Sequence, residues 1–315
     1  MFLRARVWAV LGALVVLAAA CGGGGGETLT IYTSVTQATV DAVVTAFEEA
    51  NPEASIEVFR APTGEVTARI AAERRNGAPG ADVIWLTDPL SMYQYQSDGL
   101  LATWEPAAAA ALPPAASGPA FWGTRVLHLV VVAAPGNPES ITEWQDLVDP
   151  SLAVAFPDPR FAGSAFAALG YFGLEFFGDL NAAGAVQVPS PGDVVTGVAE
   201  GRFAAGITLE FSARTAAEKG SPVEVVWPRP AAVAITSPIA IVDGAGSEVR
   251  ARDFIEHVLS ESGQTAIGAT GWSPMLAGIP GPVIPAGVDI VYPEWDVIIE
   301  QQEDLIDGYA SLFGG

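Results

Sequence analysis

Cysteine, histidine and basic residues are scarce in this chain of 315 residues. Its single cysteine cannot form a disulfide within the chain. The two histidines, His128 and His257, lie in an apolar strand and an amphipathic helix, where we expect structural roles. The sequence also lacks a histidine cluster with metal spacing, a G-x-S-x-G motif and a Gly-Lys-Ser/Thr phosphate loop. We therefore expect no enzyme, no cofactor and no resident metal site.

Acidic residues outnumber basic residues in this chain. Lysine and arginine number 14 against 36 aspartates and glutamates, which gives a net charge of −22. Such a surface repels phosphate backbones and anionic headgroups, so we expect neither nucleic acid nor a peripheral membrane partner. No internal repeat with a period of about 20 to 50 residues is present, which argues against an adhesion or scaffold protein. The acidity is typical of a soluble protein, and we expect a monomer.

The N-terminus has the features of a secretory signal. Arg4 and Arg6 precede an apolar run of about 14 residues, whereas a membrane-spanning helix needs about 20. The only cysteine, Cys21, follows this run in the segment Leu-Ala-Ala-Ala-Cys, which resembles the bacterial lipobox with its leucine one position early. We predict a signal peptide over 1–20, a lipidated Cys21 and a flexible glycine-rich tether over 21–27. These features would anchor the protein on the outer face of the cytoplasmic membrane, in the cell envelope or periplasm.

Strands and helices alternate after the tether, which predicts an α/β fold. Val40, Val43 and Phe47 recur at helical spacing after a buried strand. A capped helix is predicted over 140–148, and the apolar segment 232–242 is long enough to cross between two α/β units. Each unit should be a doubly wound, mostly parallel sheet, in which ligands bind beyond the carboxyl ends of the strands.

Several longer strings carry a resemblance to a known family. They are YTSVTQATVDAVVTAFEEANP, GEVTARIAAERRN, ADVIWLTDP, DGLL, EWQDLVDPSLAVAFPDP, FAGSAFAALGYF, VVTGVAEGRFAAGIT, ARTAAEKGSPVEVVWP and AITSPIAIV. In this order and spacing, over about residues 28 to 275, they resemble the periplasmic binding proteins of ABC importers. The resembling branch holds ferric-ion, phosphonate and sugar-phosphate binders.

The resemblance implies two lobes that close over a ligand like a hinged trap. It places lobe 1 at 28–126 plus 236–315 and lobe 2 at 127–235, joined by hinge strands near 127–132 and 237–242. It also implies that the partners are a small-molecule ligand and the permease and ATPase subunits of an importer.

Two loops of the first unit offer polar groups to the cleft. Thr33, Ser34 and Thr36 lie between a strand and a helix start, where free N–H groups and hydroxyls either bind an anion or only cap the helix. Thr87 and Asp88 follow the third strand. Asp88 either contacts a ligand amine or caps the next helix.

Two loops of the second unit complete the predicted site. Gly163 would let a ligand approach the backbone, and Ser164, followed by Ala165, opens a helix. In the ferric-ion proteins the matching turn holds an anion, so the resemblance implies an anion role here. Thr208 ends the strand that precedes the fourth loop.

The fourth loop departs from the ferric-ion pattern. Glu210 and Phe211 occupy the positions that match two adjacent tyrosines in those proteins. The aromatic residues Trp227 and Trp272 precede turns on matched segments and could cover a ligand.

The resulting pocket of hydroxyls, helix N-termini and one or two carboxylates suits a small organic anion. Phosphonates, aminoalkylphosphonates and sugar phosphates fit this description. The alternative ligand is ferric iron held by oxygen ligands other than tyrosine, since oxygen ligands suit hard cations.

Overall fold

The computed structural model describes residues 28–113 and 118–314. The predicted signal peptide over 1–20 and the whole predicted tether over 21–27, with Cys21, lie outside these residues. In the described part, no helix combines the length and apolar character needed to cross a bilayer. Its strands are β1 (Thr28–Thr33), β2 (Ser55–Arg60), β3 (Val83–Trp85), β4 (Trp122–Ala133), β5 (Val154–Pro157), β6 (Val186–Val188), β7 (Ala205–Leu209), β8 (Glu224–Val226), β9 (Ala232–Ile241), β10 (Ser273–Pro274) and β11 (Ile290–Val291).

Helices follow most of the strands, as the alternating pattern predicts. They are α1 (Gln37–Ala50), α2 (Thr63–Arg74), α3 (Pro89–Ser97), α4 (Gly163–Ala182), α5 (Pro191–Ala199), α6 (Glu210–Glu218), α7 (Glu248–Leu259), α8 (Glu261–Ala269), α9 (Trp295–Ile298) and α10 (Gln302–Phe313). Short 3-10 turns cover Ala107–Ala111, Trp144–Val148 and Ile299–Gln301.

The strands form one continuous sheet, eight of them in the order β2-β1-β3-β9-β4-β7-β5-β6, while β8 and β10 pair with β4 and β11 pairs with β9. Pairing is parallel within β2-β1-β3, here called the first group, and β5 pairs in parallel with β6 and β7 of the second group, β7-β5-β6. The long strands β4 and β9 run antiparallel to each other and to β7 and β3. Two parallel α/β units joined by two long crossing strands are the predicted fold class, which is confirmed.

The crossing strand β4 passes from one group to the other near Leu129. From Trp122 to Leu129 it pairs with β9, and from Leu129 to Ala133 it pairs with β7. All of its side chains are buried, as are those of β9, because helices cover the sheet. This change of partner from β9 to β7 lies inside the predicted hinge segment 127–132. The lobe boundaries stay a prediction.

Helix α1 illustrates how the apolar spacing produces the packing. Val40, Val43 and Phe47 form one buried stripe, and Phe47 meets Phe254 of α7 edge to face at 5.3 Å between ring centroids. Burial of each such side chain stabilises the fold by about 1.5–3 kcal/mol. The stripe holds α1 against the sheet and so fixes the loop that precedes it, Ser34 to Thr36, at the carboxyl end of β1.

The C-terminal segment reaches both strand groups. Helix α9 lies against α3, which follows β3 of the first group. Helix α10 packs on α4, which follows β5 of the second group: Phe313 contacts Phe156, and Tyr309 contacts Phe177. The predicted boundaries put the whole segment with lobe 1, whereas α4 falls within predicted lobe 2.

Candidate functional site

A cavity of about 400 Å³ lies at the carboxyl ends of both parallel groups. It is lined by the loops that follow β1, β2 and β3 on one side and β5, β6 and β7 on the other. Residues of the first turns of α2, α4, α5 and α6 lie in its wall. Helix N-termini carry partial positive charge and free N–H groups, so four of them around one cavity favour an anion.

Three hydroxyl groups meet on the first side of this cleft. Thr63 Oγ1 donates to Ser34 Oγ at 2.9 Å and lies 3.1 Å from Thr87 Oγ1. The Ser34 and Thr87 hydroxyls are 3.3 Å apart. Ser34 and Thr87 were predicted from sequence, whereas Thr63, the first residue of α2, was not. The three loops come together because β1, β2 and β3 are parallel neighbours.

Gly163 closes over this hydroxyl cluster from the other side. A Cβ placed on Gly163 would lie 2.6 Å from Thr63 Oγ1, 2.7 Å from Thr87 Oγ1 and 2.8 Å from Asp88 Oδ2. Only glycine fits this approach of protein side chains, and the predicted approach of a ligand to the Gly163 backbone stays a prediction. Ser164 is buried next to it in the first turn of α4 and also lines the cavity.

Arg125 is the charged group at the back of the cleft. It lies in the middle of β4, has no exposed surface and lines the cavity. Its Nη1 reaches Thr39 Oγ1 at 3.5 Å, while Nε and Nη2 bond to no group in the described ranges 28–113 and 118–314. Burial lowers the pKa of Arg125 to about 9. A guanidinium with two unpartnered nitrogens at the back of the cleft is a candidate for recognition of an oxyanion, which would reach these nitrogens once the side chains that cover them move.

Two aromatic rings continue from Arg125 across the cleft. The guanidinium lies 4.2 Å from the centre of the Trp272 ring. Phe211 of α6 stacks on Trp272 with centroids 4.0 Å apart and an interplanar angle of 13°. Trp272 Nε1 also donates to Thr36 Oγ1 at 3.3 Å. Phe211, Trp272 and Thr36 therefore come together as predicted site residues, whereas Arg125 was missed.

Other cavity residues were also missed. Arg60 lines the cavity, and its Nε donates to the Val35 carbonyl oxygen at 2.7 Å. Glu65 supplies a carboxylate at the first turn of α2. Ser190, the N-cap of α5, and Ser212 of α6 add hydroxyls from the second side. A serine or threonine at the start of each helix is the sequence signal that could have found Thr63 and Ser190.

Six of the thirteen predicted contact residues do not line the cavity. Thr33 is buried and donates to the Trp85 carbonyl, Thr208 donates to the Pro191 carbonyl, and Ala165 lies in the core. Glu210 forms an ion pair with Arg214 at 2.5 Å, and burial raises the pKa of Glu210. The other two are Asp88, described next, and Trp227, which packs against His128 away from the cleft. Which of the thirteen touch a ligand stays a prediction.

Asp88 is the N-cap of α3. Its Oδ1 accepts from the Ser91 N–H at 2.8 Å, and its Oδ2 has no partner within the part of the chain that the structure describes. Complete burial raises the pKa of Asp88 to about 6, against the opposing effect of the bond from Ser91. Of the two roles left open by the sequence, the cap is therefore the one observed.

We expect Asp88→Asn to stabilise the protein at neutral pH. The asparagine keeps the Oδ1 acceptor but removes the cost of burying a charge, on the order of 1–3 kcal/mol. Because the folded pKa is raised above the unfolded value near 4, the native state binds more protons between pH 4 and 6, and wild-type stability falls as the pH rises through this window.

Urea unfolding at pH 4.5 and 7.5 measures both effects. The variant should lose this pH dependence, and Asp88→Ala, which also loses the cap, should be less stable than Asp88→Asn. A variant Asp88→Asn that is less stable than wild type at pH 7.5 would contradict this account of Asp88.

The two sides of the cleft touch directly in this structure. The Gly64 N–H donates to the Phe161 carbonyl at 3.2 Å, and Arg214 Nη2 donates to the Gly271 carbonyl at 2.6 Å. With the Phe211–Trp272 stack, these contacts link loops after β5 and β7 to elements of the first group and to the turn before β10. The loops on the two sides of the cavity are therefore in direct contact, and that this arrangement is the closed form of two hinged lobes stays a prediction.

A metal centre is not evident in the described residues. Across 28–113 and 118–314, no group of three or more His, Cys, Asp or Glu side chains converges closely enough to hold a metal ion. His128 and His257 pack against Trp227 and Phe47 respectively and do not line the cleft. The polar groups that line the cleft are mainly hydroxyls, arginine side chains and helix N-termini.

Fold and cleft together define the two-lobed class of periplasmic binding proteins. AfuA from Actinobacillus pleuropneumoniae, with exogenous fructose-6-phosphate bound, is 19% identical with a TM-score of 0.78 over 91% of this chain and 98% of that chain. Iron-bound HitA from Pseudomonas aeruginosa is 20% identical with a TM-score of 0.78, over 91% and 100% of the two chains. The substrate-binding protein of an ABC transporter from Agrobacterium tumefaciens is 20% identical with a TM-score of 0.78, over 92% and 95%.

The family is given by the sequence itself. The profile of the family described as bacterial extracellular solute-binding protein matches residues 29–273, and the chain belongs to this family. A comparison with curated proteins finds no match. The structural likenesses, all near 20% identity, show the shared fold, and the family confirms a solute-binding protein that acts outside the cytoplasm.

Proposed function

We propose that this chain is the solute-binding component of an ABC importer and that it captures a small organic anion. The observation that carries the anionic class is Arg125, whose buried guanidinium lines the cleft. No acidic side chain of residues 28–113 or 118–314 forms an ion pair with it. A buried cation without a counter-charge costs several kcal/mol, which a bound oxyanion would offset.

The surrounding groups support the same class of ligand. The hydroxyls of Ser34, Thr63 and Thr87 and the N-terminus of α4 offer further donors to an oxyanion. Each hydrogen bond to a charged group contributes about 1.5–3 kcal/mol. Glu65 offers an acceptor for an amine or for sugar hydroxyls at the other end. Phosphonates, aminoalkylphosphonates and sugar phosphates combine these two ends.

The importer role is supported by likeness. The sequence resembles periplasmic binding proteins of ABC importers, and one similar structure is that of an ABC transporter's substrate-binding protein. Contacts between the two sides of the cleft fit a trap that closes over its ligand. Permease and ATPase subunits are therefore the proposed partners.

A thermal-shift screen with matched pairs tests the ligand class. Each phosphonate or phosphate ester is compared with its neutral counterpart, for example a hexose phosphate with the free hexose. We expect only the anionic member to raise the melting temperature, because a ligand at about 100 times its Kd stabilises by roughly 2.7 kcal/mol.

Ferric iron is the competing ligand, and metal analysis of the same protein decides the matter. Stoichiometric iron in protein purified without chelator, with no response to any organic anion, would overturn the proposal. Calorimetry on the positive compounds then gives affinity and stoichiometry.

The proposed anchor is a lipid on Cys21. We expect the native full-length protein to partition into detergent, and Cys21→Ser to remain in the aqueous phase, because one thioether-linked lipid supplies the membrane affinity. Phase separation with Triton X-114 measures the difference. Equal partition of both forms would refute lipidation, and ligand binding should be the same in both because Cys21 is not among the residues that line the cleft.

A further inference from the structure

Two cations that lack an acidic partner lie in the cleft. Eight of the twelve lysine and arginine side chains in the described residues form ion pairs. The other four are Arg60, Arg75, Arg125 and Lys219, and of these Arg60 and Arg125 line the cavity. The proposed anion site uses Arg125, which leaves Arg60 without an assigned role.

Arg60 lies at the mouth of the cleft. It is the last residue of β2, at the edge of the sheet, and it is exposed, whereas Arg125 is fully buried in the central strand β4. Arg60 Nε donates to the Val35 carbonyl, which directs the side chain towards the loop between β1 and α1. Neither of its Nη atoms forms a hydrogen bond with the described part of the chain. Three strands separate the two arginines in the sheet, so they meet a ligand at different ends.

Glu65 is the one acidic side chain among the described residues that line the cavity. It lies in the first turn of α2, only five positions after Arg60, and is also exposed. Within the described residues it forms no ion pair with Arg60 or with any other base. The mouth of the cleft therefore offers one cation and one carboxylate that do not satisfy each other, and the back offers a second cation.

This arrangement of charges is complementary to one kind of organic anion. We infer, on the basis of the proposed function, that the ligand is an α-amino acid whose side chain ends in a phosphonate or phosphate group. The phosphorus oxyanion binds at Arg125, Arg60 binds the α-carboxylate, and Glu65 accepts hydrogen bonds from the α-ammonium. A simple alkylphosphonate leaves both charges at the mouth without a partner. Arg60 and Glu65 therefore determine which anion is captured, while Arg125 supplies the affinity for anions in general.

Four phosphonates with the same three-carbon chain next to phosphorus test this inference. Propylphosphonate carries neither end group, 3-aminopropylphosphonate carries the amine, 4-phosphonobutyrate carries the carboxylate, and 2-amino-4-phosphonobutyrate carries both. We expect calorimetry to show the tightest binding for the last compound, with each end group adding about three- to fivefold, because ion pairs of exposed side chains are modest in strength. O-phosphoserine, in which oxygen replaces the methylene next to phosphorus, then distinguishes a phosphate ester from a phosphonate.

Matched variants assign each end group to its residue. Arg60→Gln should lose this factor for the two carboxylates and bind the other two compounds as wild type does. Glu65→Gln should lose it only for the two amines. Arg75→Gln and Glu57→Gln are the controls, because both residues are exposed, lie outside the cleft and form no ion pair in the described chain. Both controls should bind all four compounds as wild type does.

The inference and the anion proposal fail in different ways. Propylphosphonate that binds as tightly as 2-amino-4-phosphonobutyrate would overturn the inference and leave the anion proposal standing. An Arg60→Gln variant that weakens the binding of all four compounds equally would do the same. Absence of binding by all four would also overturn the inference. The anion proposal fails separately, if Arg125→Gln binds these compounds as tightly as wild type does.

Discussion

Replacement of Arg125 by glutamine is expected to weaken anion binding by more than about 100-fold while it raises the melting temperature of the unliganded protein. The affinity falls because two charge-assisted hydrogen bonds from Nε and Nη2 are lost, each of about 1.5–3 kcal/mol. The stability rises because the buried guanidinium has no acidic partner in the described residues. Each kcal/mol of penalty removed should add roughly 2–4 °C.

The opposite signs of the two effects make this test informative. A residue needed only for folding would lose affinity and stability together. Arg125→Lys keeps the charge but loses the planar fork, so it should bind with intermediate affinity. Arg202→Gln serves as the matched control, because Arg202 is an exposed arginine paired with Glu200 and lies outside the cleft. Calorimetry and thermal unfolding measure the two quantities, and a stable Arg125→Gln with wild-type affinity would refute the role of Arg125.

The pH dependence of binding gives an independent signature of Arg125. Burial lowers the pKa of this residue in the unliganded protein to about 9. A ligand anion binds the charged form, so affinity should be flat up to about pH 8 and fall by up to about tenfold per pH unit well above pH 9. Residual binding to Arg125→Gln should lack this decline. The measurement requires an anion that is fully ionised by pH 8.

Seven of the thirteen residues predicted from local sequence patterns line the cavity. Ser34, Thr87 and Gly163 each follow a recognisable strand and open a helix, and parallel pairing then brings those loops together. Arg125 carries no such signal, since it stands inside a twelve-residue strand that is otherwise almost entirely uncharged and wholly buried. Its access to the cleft depends on where β4 passes behind loops distant in sequence, which no local pattern encodes.

The helix predicted over 140–148 is wrong, although a local pattern indicated it. Only the 3-10 turn Trp144–Val148 forms there. Asn137 and Ser140 adopt positive φ angles of 44° and 54°, and the Asn137 side chain bonds both the N–H and the carbonyl of Ile141. The asparagine side chain thus replaces the helical backbone bonds with a turn. Ser140 therefore belongs to a turn and does not cap a helix, and the cap of the short 3-10 turn is Glu143.

The second large effect is expected from Gly64→Ala, which should abolish the closed form without destabilising the fold. A Cβ on Gly64 would overlap the carbonyl oxygen of Arg160. Neither atom belongs to a flexible side chain, so the clash is not relieved by a change of rotamer. Gly64 is a helical residue of α2, where alanine is favoured over glycine by about 1 kcal/mol, so α2 itself should gain stability.

The clash falls only on the contact between the two sides of the cleft, and an open arrangement relieves it. Because a ligand that bridges both sides binds the closed form better, its affinity should fall at least about tenfold. Gly246→Ala is the matched control, since the nearest atom to its Cβ would be Asp82 Oδ1 at an ordinary 3.9 Å. Small-angle scattering should show compaction on ligand addition for wild type and Gly246→Ala but not for Gly64→Ala. Equal compaction and affinity in all three proteins would mean that closure does not pass through this contact.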